Sequence, residues 1–170
     1  MAILRLGCGM FSFVIKYEEY SDNYIESYTY SLKIKMGEYP LFSESIEKKF
    51  LAPDGKMIFT SDDDDHLLNA FKKFVDSSSP LDEEIDFYSE VDGPQQVFIK
   101  LIKTIDPRYP NLVWYYIIFY FESDSFESYH GTGKIQLTTH TIEPDDIKRF
   151  ITELEEEREE LVLKYRARKQ

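Results

Sequence analysis

Four consecutive carboxylates and a histidine stand together in the stretch SDDDDHLLNAFKKF at residues 61–74. Carboxylate oxygens and imidazole nitrogens bind metal ions, so this grouping raises the question of a metal site. A calcium-binding loop also needs a glycine and a more distant bidentate glutamate, and neither stands at the required offset from Asp62 and Asp64. We therefore expect no metal site in this stretch, and no cofactor in the chain.

The start of a helix explains the same residues. The first N–H groups of a helix lack backbone partners and carry partial positive charge, so Ser61 or an adjacent Asp can cap it while the other carboxylates stabilise its first turn. The apolar residues that follow have the spacing of one buried helical face: Leu67, Leu68, Phe71, Phe74 and Val75. The pattern predicts a helix over 62–76 with its carboxylates in solvent.

Other residue types that catalyse reactions are scattered. His66, His130 and His140 do not have the spacing of a zinc-binding HExxH or Cys/His set. The HGTGK segment at 130–134 lacks the earlier glycine and the hydroxyl residue of a phosphate-binding loop, and it indicates a hairpin turn. Cys8 has no predicted helix N-terminus or basic neighbour to favour its thiolate. We predict no catalytic residue and no enzyme activity.

Composition favours one acidic globular domain. The chain has 170 residues, of which 42% are hydrophobic and 16% aromatic, and this is enough for a substantial core. Its formal net charge of −12 opposes binding to nucleic acid or to an anionic membrane, because both require clustered Lys and Arg. Such a surface attracts a basic protein partner instead.

The N-terminal region and the longest apolar run bear on location. The segment MAILRLGCGMF raises the question of export, but Arg5 interrupts its apolar part, and the single cysteine cannot form an internal disulfide. A cytoplasmic location is therefore expected. The run LVWYYIIFYF at 112–121 is too short to span a membrane, and its β-branched and aromatic content predicts a strand.

Alternation of apolar and polar residues predicts most of the fold. It runs through 11–18 and 28–36, which read as neighbouring antiparallel strands, and a second hairpin is expected around the turn PDGK at 53–56. The later predicted strands are a short one at Ile85 and Phe87 and longer ones at 97–104, 113–122 and 134–141. Apolar residues occupy both faces of the 113–122 strand, so we expect it mid-sheet and covered on both sides.

The last predicted element is a helix over 144–165, which begins at Glu143-Pro144 and buries Ile147, Phe150, Ile151 and Leu154. Beyond Leu154 the run EEEREE has little apolar support, so this tail either projects into solvent or packs on another molecule. The basic residues near its end either favour the negative helix terminus or form a small contact site. The resulting prediction is a single α+β domain over 1–170, with about seven mainly antiparallel strands in one sheet and two helices.

The segment DEEIDFYSEVD at 82–92 is the candidate binding surface. It interleaves carboxylates with Ile85, Phe87 and Tyr88, which fits either a half-buried edge strand or a patch whose aromatic residues anchor a basic partner. The predicted partner-binding residues are Glu83, Glu84, Asp86, Tyr88, Glu90 and Asp92.

The order of elements resembles that of bacterial WapI-type immunity proteins, small cytoplasmic antidotes to contact-delivered toxins. The resemblance covers most of the layout: aromatic strands, a mid-chain LLNAFKKF helix, further strands, and the closing KIQLTTHTIEPDDIKRFITELEEE. It implies neutralisation of a toxin domain by binding, without catalysis, and it assigns no functional residue. Two alternatives stay open: a hydrolase or small-ligand-binding domain whose site forms only in three dimensions, and a cytoplasmic adaptor.

Overall fold

The computed structural model describes residues 1–7, 9–40, 57–76, 78–87, 95–123, 133–139 and 143–169. These residues form nine strands and two helices. In chain order the elements are β1 (Ala2–Leu6), β2 (Phe11–Ser21), β3 (Ser27–Met36), β4 (Tyr39–Pro40), β5 (Met57–Thr60), α1 (Ser61–Asp76), β6 (Leu81–Phe87), β7 (Gln95–Asp106), β8 (Tyr109–Ser123), β9 (Gly133–Thr139) and α2 (Pro144–Lys169).

The first sheet has the order β1-β2-β3-β4, and β5 also pairs with β3. All its pairings are antiparallel. Strict alternation on β3 buries Tyr28, Tyr30, Leu32 and Ile34 on one side, because successive side chains of a strand point to opposite faces. The sequence prediction that 11–18 and 28–36 are neighbouring antiparallel strands is confirmed.

The second sheet has the order β6-β7-β8-β9 and is also antiparallel. Strand β6 lies at its edge, and β8 lies between β7 and β9, as expected for a mid-sheet strand. Its inner side contributes Ile85, Ile99, Leu101, Ile117 and Phe119 to the core.

One continuous apolar cluster joins the two sheets and both helices. The ring of Phe13 on β2 lies 5.0 Å from that of Phe119 on β8 and 6.1 Å from that of Phe150 on α2. Phe71 on α1 packs edge-on against Phe150 at 5.2 Å. Helix α2 covers β1 and β2, whereas α1 packs on α2, β5 and β6.

A single cation, Lys103, is buried on the inner side of the second sheet in the described part of the chain. Its Nζ lies 3.4 Å from the carbonyl oxygen of Val75, near the C-terminal end of α1, and 5.3 Å from the ring centre of Tyr115. A positive charge is favourable at that end of a helix and over an aromatic face, while burial lowers the pKa of Lys103.

The predicted α+β class, its antiparallel pairing and its two helices are confirmed. The strands, however, divide into two sheets where the sequence pattern led us to expect one. The physical reason is that α1 carries the chain from β5, which pairs with β3, to β6, which pairs with β7. The 46–50 arm of the predicted PDGK hairpin lies outside the described residues.

The C-terminal tail also differs from its expected position. Helix α2 continues to Lys169, and Leu161, Val162 and Tyr165 pack against this chain's own core. The expectation that the tail projects into solvent or packs on another molecule was therefore wrong for these residues. Tyr165, for example, contacts Tyr20 on β2, more than a hundred residues away in sequence, so the local pattern could not show this packing.

Candidate protein-binding face

The second sheet has one side turned away from the core, which we call the outer face. Successive side chains of a strand point to opposite faces, and paired residues of neighbouring strands point to the same face. The strand register therefore determines which side chains lie on the outer face. The described side chains of the outer face are Asp82 and Glu84 on β6, Lys100, Ile102 and Thr104 on β7, Trp114, Tyr116, Ile118 and Tyr120 on β8, and Gln136 and Thr138 on β9.

Aromatic and aliphatic side chains form the middle of the outer face. Trp114 is 44% exposed, and Tyr116, Ile118 and Tyr120 are partly exposed. The expected coverage of this strand on both sides is therefore not seen for these residues. Among the described elements, α1 and α2 pack on the opposite, inner side, so one face of β8 keeps its aromatic residues in contact with solvent.

Charged residues border the aromatic strip on the β6 side. The Nζ of Lys100 lies 2.9 Å from Asp82 Oδ1, and this hydrogen bond raises the pKa of Lys100. Glu84 stands opposite Lys100 in the register and is exposed. The two carboxylates and one ammonium leave this border with a net negative charge. An apolar middle with a charged border is the usual composition of a protein-binding surface.

The residues predicted from the sequence to bind a partner do not all lie on one face of the structure. Glu84 is on the outer face, whereas Glu83 faces α1, where its side chain is 16% exposed and its Oε1 lies 3.4 Å from Lys73 Nζ. Asp86 lies on β6 and pairs in register with Phe98. The other three predicted residues lie outside the described part of the chain: Tyr88, Glu90 and Asp92.

The edge-strand interpretation of this segment is confirmed over Leu81–Phe87. Sequence reasoning missed that the aromatic residues on the same face as Asp82 and Glu84 come from β8, with Trp114 the most exposed of them in the described strip. The alternation in 113–122 was the available signal. It shows that two faces exist, but it does not show which of them the helices cover.

A second polar cluster joins the start of α1 to the middle of α2. Asp64 is completely buried; it accepts a hydrogen bond from the hydroxyl of Tyr17 and one from Arg158 Nη1 at 2.9 Å. The same Nη1 donates to Asp65 Oδ1 at 2.6 Å, and the guanidinium lies 5.4 Å from the ring centre of Tyr28. The expectation that all these carboxylates lie in solvent was wrong for Asp64.

Burial dominates the electrostatics of this cluster. It raises the pKa of Asp64, while the hydrogen bond from Tyr17 and the charge of Arg158 act in the opposite direction. Burial also raises the pKa of Tyr17, and the neighbouring Asp64 adds to this rise. Burial by itself lowers the pKa of Arg158, but its contacts with Asp65 and Asp64 raise it overall. The cluster therefore contains a charged Arg158 held by two carboxyl groups.

Two clefts flank Arg158, with volumes of about 240 and 320 Å³. The smaller one lies between the helices, where Lys72 and Glu155 form an ion pair at 2.5 Å. The larger one is bordered by Glu26, Tyr28 and Arg166. Among the described residues, no histidine lines either of these two clefts.

Within the described ranges, no three His, Cys, Asp or Glu side chains are grouped as metal ligands. The described helices include none that has both the length and the apolar character needed to cross a membrane. No protein-family model matches the sequence, and no curated protein or solved structure is significantly similar to it.

Proposed function

We propose that this chain is a non-catalytic binding protein whose outer face docks a basic protein partner. The single observation that carries the proposal is the strip of solvent-contacting aromatic residues on β8, on the same sheet face as the carboxylates of β6 and one strand away from them. Exposed Trp and Tyr side chains supply most of the binding energy at many protein interfaces, because they bury large area at low cost in conformational entropy.

The charge of the chain supports a basic partner. A net charge of −12 repels acidic proteins and nucleic acid at long range and accelerates encounter with a positively charged protein. The carboxylates bordering the outer face act at short range, where they orient the partner over the aromatic strip. Aromatic contacts then determine how long the complex lasts.

The biological role that we propose is neutralisation of a toxin domain in the cytoplasm by binding. It rests on the resemblance of this chain's layout to that of WapI-type immunity proteins: in this chain a mid-chain LLNAFKKF helix and a Pro-Asp-Asp helix start follow aromatic strands. The confirmed antiparallel α+β fold agrees with that layout. A binding protein of this kind needs a complementary surface and no catalytic residue.

Co-expression with the product of the adjacent upstream gene tests the role, since an antidote gene follows the gene of its toxin. We expect the chain to rescue growth and to co-purify with that product. Trp114→Ala should weaken the complex by about 2 kcal/mol, or roughly 30-fold, as at other interface tryptophans. Tyr24→Ala is the matched control, because Tyr24 is 101% exposed and lies in the β2–β3 turn of the first sheet, not on the outer face of the second.

Two outcomes contradict the proposal. If the upstream gene product is not toxic and this chain does not bind it, the chain is not its antidote. If the Trp114→Ala and Tyr24→Ala proteins bind the partner with equal affinity, the outer face is not the interface. Thermal melts of both variants must match that of the parent protein for the comparison to count.

A further inference from the structure

Strand β6 has an open edge in the described structure. It pairs with β7 in unbroken register from Leu81–Lys103 to Phe87–Val97, and no other described strand pairs with it. In an antiparallel pair, half of the N–H and C=O groups of each strand point away from the neighbouring strand. Helix α1 reaches β6 through two side chains: Lys73 Nζ lies 3.4 Å from Glu83 Oε1, and His66 Nε2 lies 3.5 Å from the carbonyl oxygen of Glu84.

The charge on this edge determines which kind of additional strand could pair with β6. The seven residues LDEEIDF carry four carboxylates and no cation. Lys100 pairs with Asp82, whose side chain is still 64% exposed, and Lys73 partly neutralises Glu83 on the inner side. Glu84 is also exposed, so the four carboxylates outnumber these two cations. Charged edge strands resist pairing with neutral strands or with like-charged copies of themselves. An extended segment rich in Lys and Arg removes that repulsion.

The aromatic strip of the outer face is smaller than a stable protein interface, so a partner needs further contacts beside it. Four strands span three interstrand spacings, about 14 Å, and the strip from Trp114 to Tyr120 is about 20 Å long, so this part of the outer face has a projected area of roughly 300 Å². A stable protein interface buries about 800 Å² on each partner. A further strand beside β6 widens the sheet by one spacing and adds main-chain hydrogen bonds.

We infer that the basic partner adds an extended segment to β6 as a fifth strand of this sheet. Alternate Lys or Arg side chains of that segment face Asp82 and Glu84, and its apolar residues continue the inner side beyond Ile85. The inference rests on the proposed function, since it specifies how the same partner binds. It makes the edge of β6, together with the aromatic strip, the recognition element.

A short acetylated peptide of alternating lysine and valine tests this mode without the natural partner. Its affinity is measured by fluorescence anisotropy, and hydrogen exchange reports on the amides of residues 81–87. We expect binding that weakens with salt and slower exchange in β6. Reversing both charges, Asp82→Lys and Glu84→Lys, should reduce the affinity at least about tenfold. The matched double reversal Glu38→Lys and Glu156→Lys, at exposed positions on other elements, should not.

A peptide of the same sequence with every backbone nitrogen methylated separates strand addition from simple charge attraction, because it keeps the charges and loses the hydrogen-bond donors. Equal binding of the two peptides overturns the inference. Binding that leaves exchange in β6 unchanged also overturns it, as does the absence of binding at millimolar peptide. These failures leave the proposed function standing if Trp114→Ala still weakens the natural complex.

Discussion

Asp64 differs from its acidic neighbours only because of residues far away in the sequence. It is the third carboxylate in a run of four, yet its side chain is fully buried between Tyr17 and Arg158. The adjacent Asp65 also binds Arg158, but more than half of its side chain is exposed. Removing a buried carboxylate is destabilising because its hydrogen-bond donors are then left without an acceptor.

Removing Asp64 should therefore be much more harmful than removing Asp65. For Asp64→Ala we expect a loss of about 3 kcal/mol in the free energy of unfolding, because Arg158 and the Tyr17 hydroxyl lose their buried acceptor. For Asp65→Ala, an exposed ion-pair partner, the expected loss is at most about 1 kcal/mol. Urea denaturation followed by circular dichroism measures both. Equal losses would show that burial of Asp64 has no energetic consequence.

Helix α2 illustrates the element scale. Its first half is held by apolar residues such as Phe150 and Leu154, which are fully buried. Its last turns depend on fewer contacts: Tyr165 packs edge-on against Tyr20 at 5.1 Å and donates a hydrogen bond to Asp22 Oδ1 at 2.7 Å. Few buried contacts mean a lower free energy of local opening.

Asp22 makes the attachment of these last turns sensitive to acid. Hydrogen bonds from Lys169 and Tyr165 lower the pKa of Asp22 below its ordinary value of 3.8. A group whose folded-state pKa is lowered contributes stability above the unfolded value, and this contribution is lost as the pH falls through the folded value. The contact between Asp22 and the end of α2 therefore weakens only under strongly acidic conditions.

Tyr165→Ala should loosen the end of α2 without unfolding the rest of the protein. We expect hydrogen exchange of residues 161–169 to become faster by about tenfold, which corresponds to about 1.4 kcal/mol, while exchange in β2 and β8 stays unchanged. Lys164→Ala is the control, because Lys164 is exposed and its ion pair with Glu160 lies within the helix. Faster exchange throughout the protein would mean that this segment belongs to the main cooperative unit.

At the scale of the whole molecule, the proposed function assigns the approach of a partner to the net charge of −12 and the lifetime of the complex to the outer face. Long-range attraction is screened by salt, and the Debye length falls from about 30 Å at 0.01 M to about 10 Å at 0.1 M. Contacts of Trp114 and its neighbours are short-ranged and hardly respond to salt. The two contributions can therefore be separated kinetically.

Association with the natural partner should slow by about tenfold or more between these two salt concentrations, whereas dissociation should change little. Glu84→Lys should reduce the association rate and its salt dependence. Trp114→Ala should instead accelerate dissociation and keep the salt dependence of the parent protein. Stopped-flow or surface-based kinetics across ionic strengths measures these rates. An association rate that does not depend on salt would contradict electrostatic steering.

The sequence by itself determined the features that depend on the local periodicity of apolar residues and on the overall composition and net charge. The antiparallel α+β class, both helices, the neighbouring strands β2 and β3, the mid-sheet position of β8 and the edge position of β6 were predictable for this reason. Apolar spacing and alternation act over a few residues, so they can be read from a single chain. Net charge, which supports the proposal of a basic partner, is likewise a property of composition.

Only the tertiary structure decided which faces are covered and which distant groups meet. It divided the strands into two sheets, buried Asp64 beside Arg158, packed Tyr165 on Tyr20, and left one face of β8 with Trp114 half exposed. Alternation fixes that a strand has two faces, but burial of either face depends on where the helices pack. That packing minimises exposed apolar area over the whole chain, and no short segment contains the information.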